Sequence, residues 1–270
     1  MLISYSLINK LYKKRIIDKL PNFLIRKIRK KFNIYFIPSE ENILPEKNYP
    51  IIHSYEAQKI LLNNFKLSKK QESFSTCQYL ITLLSSIFNK DSNFKFLDIG
   101  GENIDFYLEL KEKFPNINYY IFNQKIILDN LKKIKEENNL KDFNIIYKIE
   151  DLLNNNYDFI NCGSVIQYVK DYKSLLLNLI NVSNKYIFFS ATHFFDSSKK
   201  NEDNLIVKQV NLLPKVFFLY FFKKKFFYKL LFDNKYKIVF EKKNLTDNLN
   251  YKNFDEFVEN TQYTDVLFKK

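Results

Sequence analysis

The sequence predicts an α/β protein: a mostly parallel, seven-stranded sheet with helices on both faces, preceded by a basic helical segment. Three observations carry this. From residue 73 to residue 190, short apolar runs alternate with stretches of three- and four-residue apolar spacing, the pattern of strands linked by crossover helices. Two further apolar runs, 237–241 and 264–268, are placed as edge strands, one of them antiparallel. The third observation is scarcity: three glycines in 270 residues exclude fibrous, collagen-like and Gly/Ser-linker architectures, and a complete G-x-G-x-x-G loop. With 46% hydrophobic and 17% aromatic residues, the chain has material for one sizeable core.

The chain begins with its charge. Of the formal +13, residues 1–33 hold ten Lys and Arg against one Asp, which leaves 33 basic against 29 acidic residues for the rest. Over residues 11–36, Lys13, Lys14, Arg15, Lys19, Arg26, Lys27, Arg29, Lys30 and Lys31 interleave with Ile16, Ile17, Leu20, Phe23, Leu24, Ile25 and Ile28, predicting one or two basic amphipathic helices broken near Pro21. Residues 10–33 would then lie on an anionic membrane surface or dock as a solvated helix against the domain. RNA binding is a third reading, but few aromatics are placed to stack on bases, which argues against a nucleic-acid partner. Pro38, Pro45 and Pro50 then stop helices, so the segment and its connector are assigned to residues 1–50 and the main domain to 51–270.

Nothing in the chain reads as a membrane span. The longest uncharged stretch, 73–89, contains Ser, Thr, Gln and Asn, and the apolar run 216–222 stops at Lys223. Residues 1–8 place apolar residues before the charges, the wrong order for a secretory signal. Cys77 and Cys162 lie far apart in apolar runs and form neither a disulfide framework nor a metal cluster. The expectation is a cytoplasmic protein, soluble or peripheral at the inner face of the membrane, with no metal.

Within the domain, Phe74, Cys77, Leu80, Ile81, Leu84 and Ile87 mark a helix over 73–88 with one buried face. Phe94-Lys95-Phe96-Leu97-Asp98-Ile99 is the first strand, ending at Gly100. Helices are expected at 103–113, 126–137 and 172–182, and strands at 119–122, 144–149, 159–162 and 186–190. A Phe-rich helix is expected over 216–232.

In such sheets a ligand sits outside the carboxyl ends of the strands, where the strand order reverses. Two of the three glycines, Gly100 and Gly101, follow the first strand, and Gly163 follows the fourth. A chain this poor in glycine keeps it where positive φ or close approach is required.

The strand ending in Leu97-Asp98-Ile99-Gly100-Gly101 resembles motif I of class I S-adenosylmethionine-dependent methyltransferases, and with it the Rossmann-like fold. More closely, the chain is similar to a family of bacterial methyltransferases associated with surface-polysaccharide biosynthesis. Tyr107, Ser164-Val165-Ile166-Gln167-Tyr168, Thr192 and Gln209 stand at the matching positions, and the resemblance covers residues 55–270. It implies S-adenosylmethionine as cofactor, held by Asp98, Gly100, Gly101 and Gly163, with the ribose at Asn123 and the adenine amino group near Glu150 or Asp151. It also implies a sugar or other small hydroxyl acceptor for the methyl group, lined by Gln167 and Tyr168. His193, on the same edge of the sheet, is a candidate general base or a loop histidine without a catalytic role. Two positions depart from the family: Ile104 stands where it has a further glycine, and Asn123 where a ribose-binding acid is usual. The alternative they leave open is a non-catalytic member of the fold serving as a binding or scaffold protein.

Overall fold

The computed structural model describes residues 33–36, 55, 59, 62, 78–196, 202–209, 217–243, 249–252 and 260–270. The helices expected over 11–32, the three connector prolines, His53 and Cys77 lie outside the described residues. In chain order the elements are β1 (Asn33–Phe36), α1 (Gln78–Ser85), β2 (Phe94–Ile99), α2 (Ile104–Lys113), β3 (Ile117–Phe122), α3 (Lys125–Glu137), β4 (Phe143–Ile146), α4 (Ile149–Leu153) and β5 (Tyr157–Gly163). A 3-10 turn (Ile166–Tyr168), α5 (Tyr172–Val182), β6 (Ser183–Asp196), β7 (Asn204–Gln209), β8 (Phe217–Lys223), α6 (Lys224–Asp233), β9 (Lys237–Lys243), β10 (Leu249–Lys252) and β11 (Asn260–Lys269) complete the chain.

Seven strands form the expected sheet, in the order β4-β3-β2-β5-β6-β11-β9. Strands β2 to β6 are parallel, and β11 runs antiparallel to both its neighbours. Alternation along each strand feeds two apolar layers. Phe94 and Phe96 of β2 pack with residues of α1, α2 and α3, whereas Leu97 and Ile99 pack with residues of α4, α5 and α6. On the first of these faces Phe159, Phe96, Tyr119 and Phe143 occupy adjacent register positions on β5, β2, β3 and β4. Their rings stack with centroids 5.5 Å apart at each step. This aromatic ladder does the packing that Val and Ile do in most parallel sheets.

Four further strands depart from expectation. Phe217–Lys223 is β8, not the start of a helix; the helix begins only at Lys224. A run that is apolar on both faces carries no period, so spacing could not separate strand from helix there. Strand β7 had no counterpart in the sequence reading. Residues 33–36, at the end of the basic run, form β1, which pairs with β7 and β10. The strand expected at 144–149 ends at Ile146, and its last residue opens α4.

These extra strands join through a kink in β6. Up to Ser190, β6 pairs with β5; at Phe194 and Phe195 it pairs with β8. Between them Ala191 takes φ +50, its N–H donates to Asp265 Oδ1 at 2.7 Å, and β11 has a register shift at the same level. Left-handed backbone costs a residue with a Cβ about 1–2 kcal/mol, which the buried charge-assisted hydrogen bond offsets. Since β8 takes the side of β6 that β5 holds lower down, the lobe β8-β7-β1-β10 extends over the carboxyl end of β5.

Candidate functional site

The chain moves outward from β2 through β3 to β4, then returns to lay β5 on the other side of β2. The strand order therefore reverses between β2 and β5, and the crevice at their carboxyl ends is where ligands bind in such sheets.

Both glycines after β2 are required by geometry. Gly100 has φ +76, and a Cβ there would overlap the Val165 side chain. A Cβ on Gly101 would overlap Asp98 Oδ2. Gly163 differs, because a Cβ would meet Asn161 and Ser190 at ordinary distances of 3.4–3.8 Å.

Asp98 sits beneath the turn, 4% exposed, with both oxygens engaged. Tyr119 Oη–H donates to Oδ2 at 2.5 Å and Asn161 Nδ2 donates to Oδ1 at 2.8 Å. Burial pushes this carboxyl up to about 6, while the two donors pull the other way. The donation by Nδ2 also fixes the Asn161 amide, whose Oδ1 is buried without a partner among the described residues. Asn103 Oδ1 and Gln167 Oε1 are in the same state. Buried acceptors in this state are rare in folded proteins.

Asn123 stands at the end of β3, but its amide is engaged: Nδ2 donates to the Gly101 carbonyl at 2.8 Å and Oδ1 accepts from Gln124 N–H at 2.7 Å. It thus ties the glycine turn to the start of α3. Glu150 and Asp151 are exposed on the first turn of α4. Ile104 is fully buried in the apolar layer with Phe106, Tyr107 and Leu110, so its side chain turns into the core. Tyr107 is core as well, edge-on to Tyr119 and Phe143.

Beyond β5, Ser164 takes φ +54, a second left-handed residue beside Ala191. Gln167, fully buried, donates from Nε2 to Ser164 Oγ at 3.2 Å and to the Ala191 carbonyl at 3.1 Å. Tyr168 Oη–H donates to Gln209 Oε1 at 2.9 Å, linking the 3-10 turn to β7 of the lobe. Burial raises the Tyr168 phenol above its ordinary range. Thr192 is buried, its hydroxyl donating to the Ser190 carbonyl at 3.2 Å.

His193 is placed between aromatic rings, with centroids 4.6 Å from Phe221 and 4.8 Å from Tyr263. Burial lowers its imidazole to about 3. A ring so reluctant to accept a proton is poorly suited to be a base at neutral pH, so the packing favours the role without catalysis.

Sequence reasoning passed over Asn161 and Asp265. Asn161 is a polar residue between Ile160 and Cys162 in a buried strand, and that interruption was the available signal; Asp265, in the mixed strand Asn260–Lys269, carried none. Among the described residues no cluster of His, Cys, Asp and Glu could hold a metal, and no helix is long and apolar enough to cross a membrane.

No protein-family model matches the chain, and no curated protein matches it. Solved structures do. The N-terminal domain of EvdMO1, crystallised in the presence of SAH (S-adenosylhomocysteine) and D-fucose, aligns over 80% of this chain and 98% of its own, at 14% identity and a TM-score of 0.50. Coclaurine N-methyltransferase bound to N-methylheliamine and SAH aligns over 98% of this chain and 99% of its own, at the same identity and score. At such identity the likeness is one of architecture, and with the strand order above it establishes that this chain has the Rossmann-like class I methyltransferase fold.

Proposed function

We propose that the chain is an S-adenosylmethionine-dependent methyltransferase that methylates a hydroxyl of a sugar or another small acceptor, in surface-glycan assembly. The observation that carries the reading is the Gly100-Gly101 turn seated on the doubly bonded Asp98 at the reversal of strand order. The cofactor fits the donor and acceptor set: its ammonium and ribose hydroxyls bring the hydrogens that Asn103 Oδ1 and Asn161 Oδ1 lack. When bound it supplies a sulfonium-activated methyl group. The chain supplies alignment. Gly100 and Gly101 let the backbone approach the methionyl end, Asp98 holds the turn and offers negative charge, and Glu150 or Asp151 is free in solvent to meet the adenine amino group. Gln167 and Tyr168 line the acceptor side, with Gly163 leaving room between.

The experiment is isothermal titration with S-adenosylmethionine and SAH. Micromolar binding supports the proposal, and no heat at millimolar ligand with a folded sample removes it. A second reading, a non-catalytic member of the fold, is favoured by one observation: the Asn123 amide is already spent on Gly101 and Gln124, leaving the ribose without its usual acid. That reading expects silence in the same titration.

A further inference from the structure

The glycine turn is tied to the end of β3 by two successive hydrogen bonds. The ladder between β2 and β3 closes at Ile99 and Phe122. One residue on, Gly100 N–H donates to the Phe122 carbonyl at 2.8 Å, although φ +76 already bends Gly100 out of the strand. At the next residue the partner is no longer backbone: the half-buried Asn123 side chain donates from Nδ2 to the Gly101 carbonyl at 2.8 Å. Its Oδ1 accepts the Gln124 N–H at 2.7 Å, immediately before α3. A carbonyl only accepts and a backbone N–H only donates, so these partners fix which end of the amide faces which. The side chain adds a rung to a ladder that the backbone, turned away at Gly100, does not continue.

The turn is confined on its other sides as well. A Cβ on Gly101 would lie 2.1 Å from Asp98 Oδ2, and one on Gly100 would overlap Val165. Asp98 and Val165 therefore pack closely against the two glycines, and Asn123 holds the Gly101 carbonyl from the side of β3. A carboxylate at residue 123 would present oxygen to that carbonyl oxygen, and would add a second negative charge beside a turn already seated on Asp98. An amide has the donor this carbonyl needs; the usual acid does not.

Resting on the methyltransferase reading above, we infer that Asn123 is a positioning residue for the cofactor: its amide holds the Gly101 carbonyl, and with it the turn that meets the methionyl end, so that the acid usual at this place would weaken binding here. The missing acid is then a requirement of this turn and no mark of a lost cofactor.

The test compares the full-length wild type with Asn123→Ala and Asn123→Asp, by isothermal titration with SAH and by amide hydrogen exchange without ligand. Losing the tie should weaken SAH about tenfold in Asn123→Ala, the scale of one hydrogen bond whose acceptor is left unmet, and more in Asn123→Asp. A residue that acts on the ribose gives the opposite order, with Asn123→Asp binding more tightly than the wild type through a charge-assisted bond. A merely structural residue lowers the unfolding midpoint and leaves SAH affinity unchanged. Without ligand, the Gly100 N–H should exchange about tenfold faster in both variants, while the amides of Phe96 and Tyr119 in the middle of the sheet keep their rates. If Asn123→Asp does not fold, Asn123→Ala decides alone. Asn123→Asp binding SAH as tightly as the wild type or more so overturns the inference, as does Asn123→Ala within about twofold of the wild type or an unchanged Gly100 rate. SAH failing to bind the wild type removes the methyltransferase reading itself, a separate outcome, and the exchange rates still judge the tie.

Discussion

Below Ala191, β6 runs between β5 and β11 with Ile187, Phe188 and Phe189 alternating into two apolar layers; beyond it Thr192 and His193 are buried beside Phe194 and Phe195, and the neighbour becomes β8. The lower region is held by apolar area and stacked rings, which need no particular partner. The upper region buries Gln167, Thr192, His193, Gln209, Thr264 and Asp265. Polar groups at that density destabilise unless each hydrogen bond is made. The left-handed Ser164 and Ala191 stand at the same place, as strained backbone does near functional sites.

The largest expected effect tests the lower region. Phe96→Ala removes the ring that stacks on both Tyr119 and Phe159, and should cost about 3–5 kcal/mol in denaturant unfolding. Hydrogen exchange should accelerate throughout β2, β3 and β5. A loss below about 1 kcal/mol would show that the ladder is not the source of that region's rigidity.

A smaller effect tests Asp98, the one buried charge of the lower region that the crevice uses. Its carboxyl is raised to about 6, so the native state holds the proton more tightly than the unfolded chain does. Stability is therefore undiminished below the ordinary carboxylate range near 4, falls as pH rises from there through 6, and by pH 7 the cost reaches about 3 kcal/mol. Asp98→Asn should gain on the wild type over this interval by that amount. A difference between the two that does not change with pH would contradict the assignment.

The smallest effect should stay within the upper region. Tyr168→Phe removes the donor to Gln209 Oε1 and should cost about 1–2 kcal/mol. Exchange should quicken in β7 and β8 while β2 and β3 keep their protection. If the ladder strands loosen equally, the two regions are one cooperative unit and the comparison fails.

Much of the lower region was legible because its signals are local. Strand-to-helix alternation from residue 94 to residue 190 and the paired glycines each depend on neighbours in sequence, and α5 appears over the very residues its period predicted. The lobe was not legible. Phe217–Lys223 is apolar on both faces, and β1 and β10 pair across 216 positions, from Asn33 to Leu249, which no local period records.

The sequence by itself determined the layered α/β architecture and the place of the glycine turn, because hydrophobic period and backbone permissiveness are properties of a few adjacent residues. Only the tertiary structure decided which polar residues are buried and what they meet. It withdrew His193 into an aromatic stack, engaged Asn123 in holding the turn, turned Ile104 into the core, and brought Asp265 to the end of β6. Burial and partner are set by strands far apart in the chain, and they decide whether a carboxylate or an imidazole carries charge.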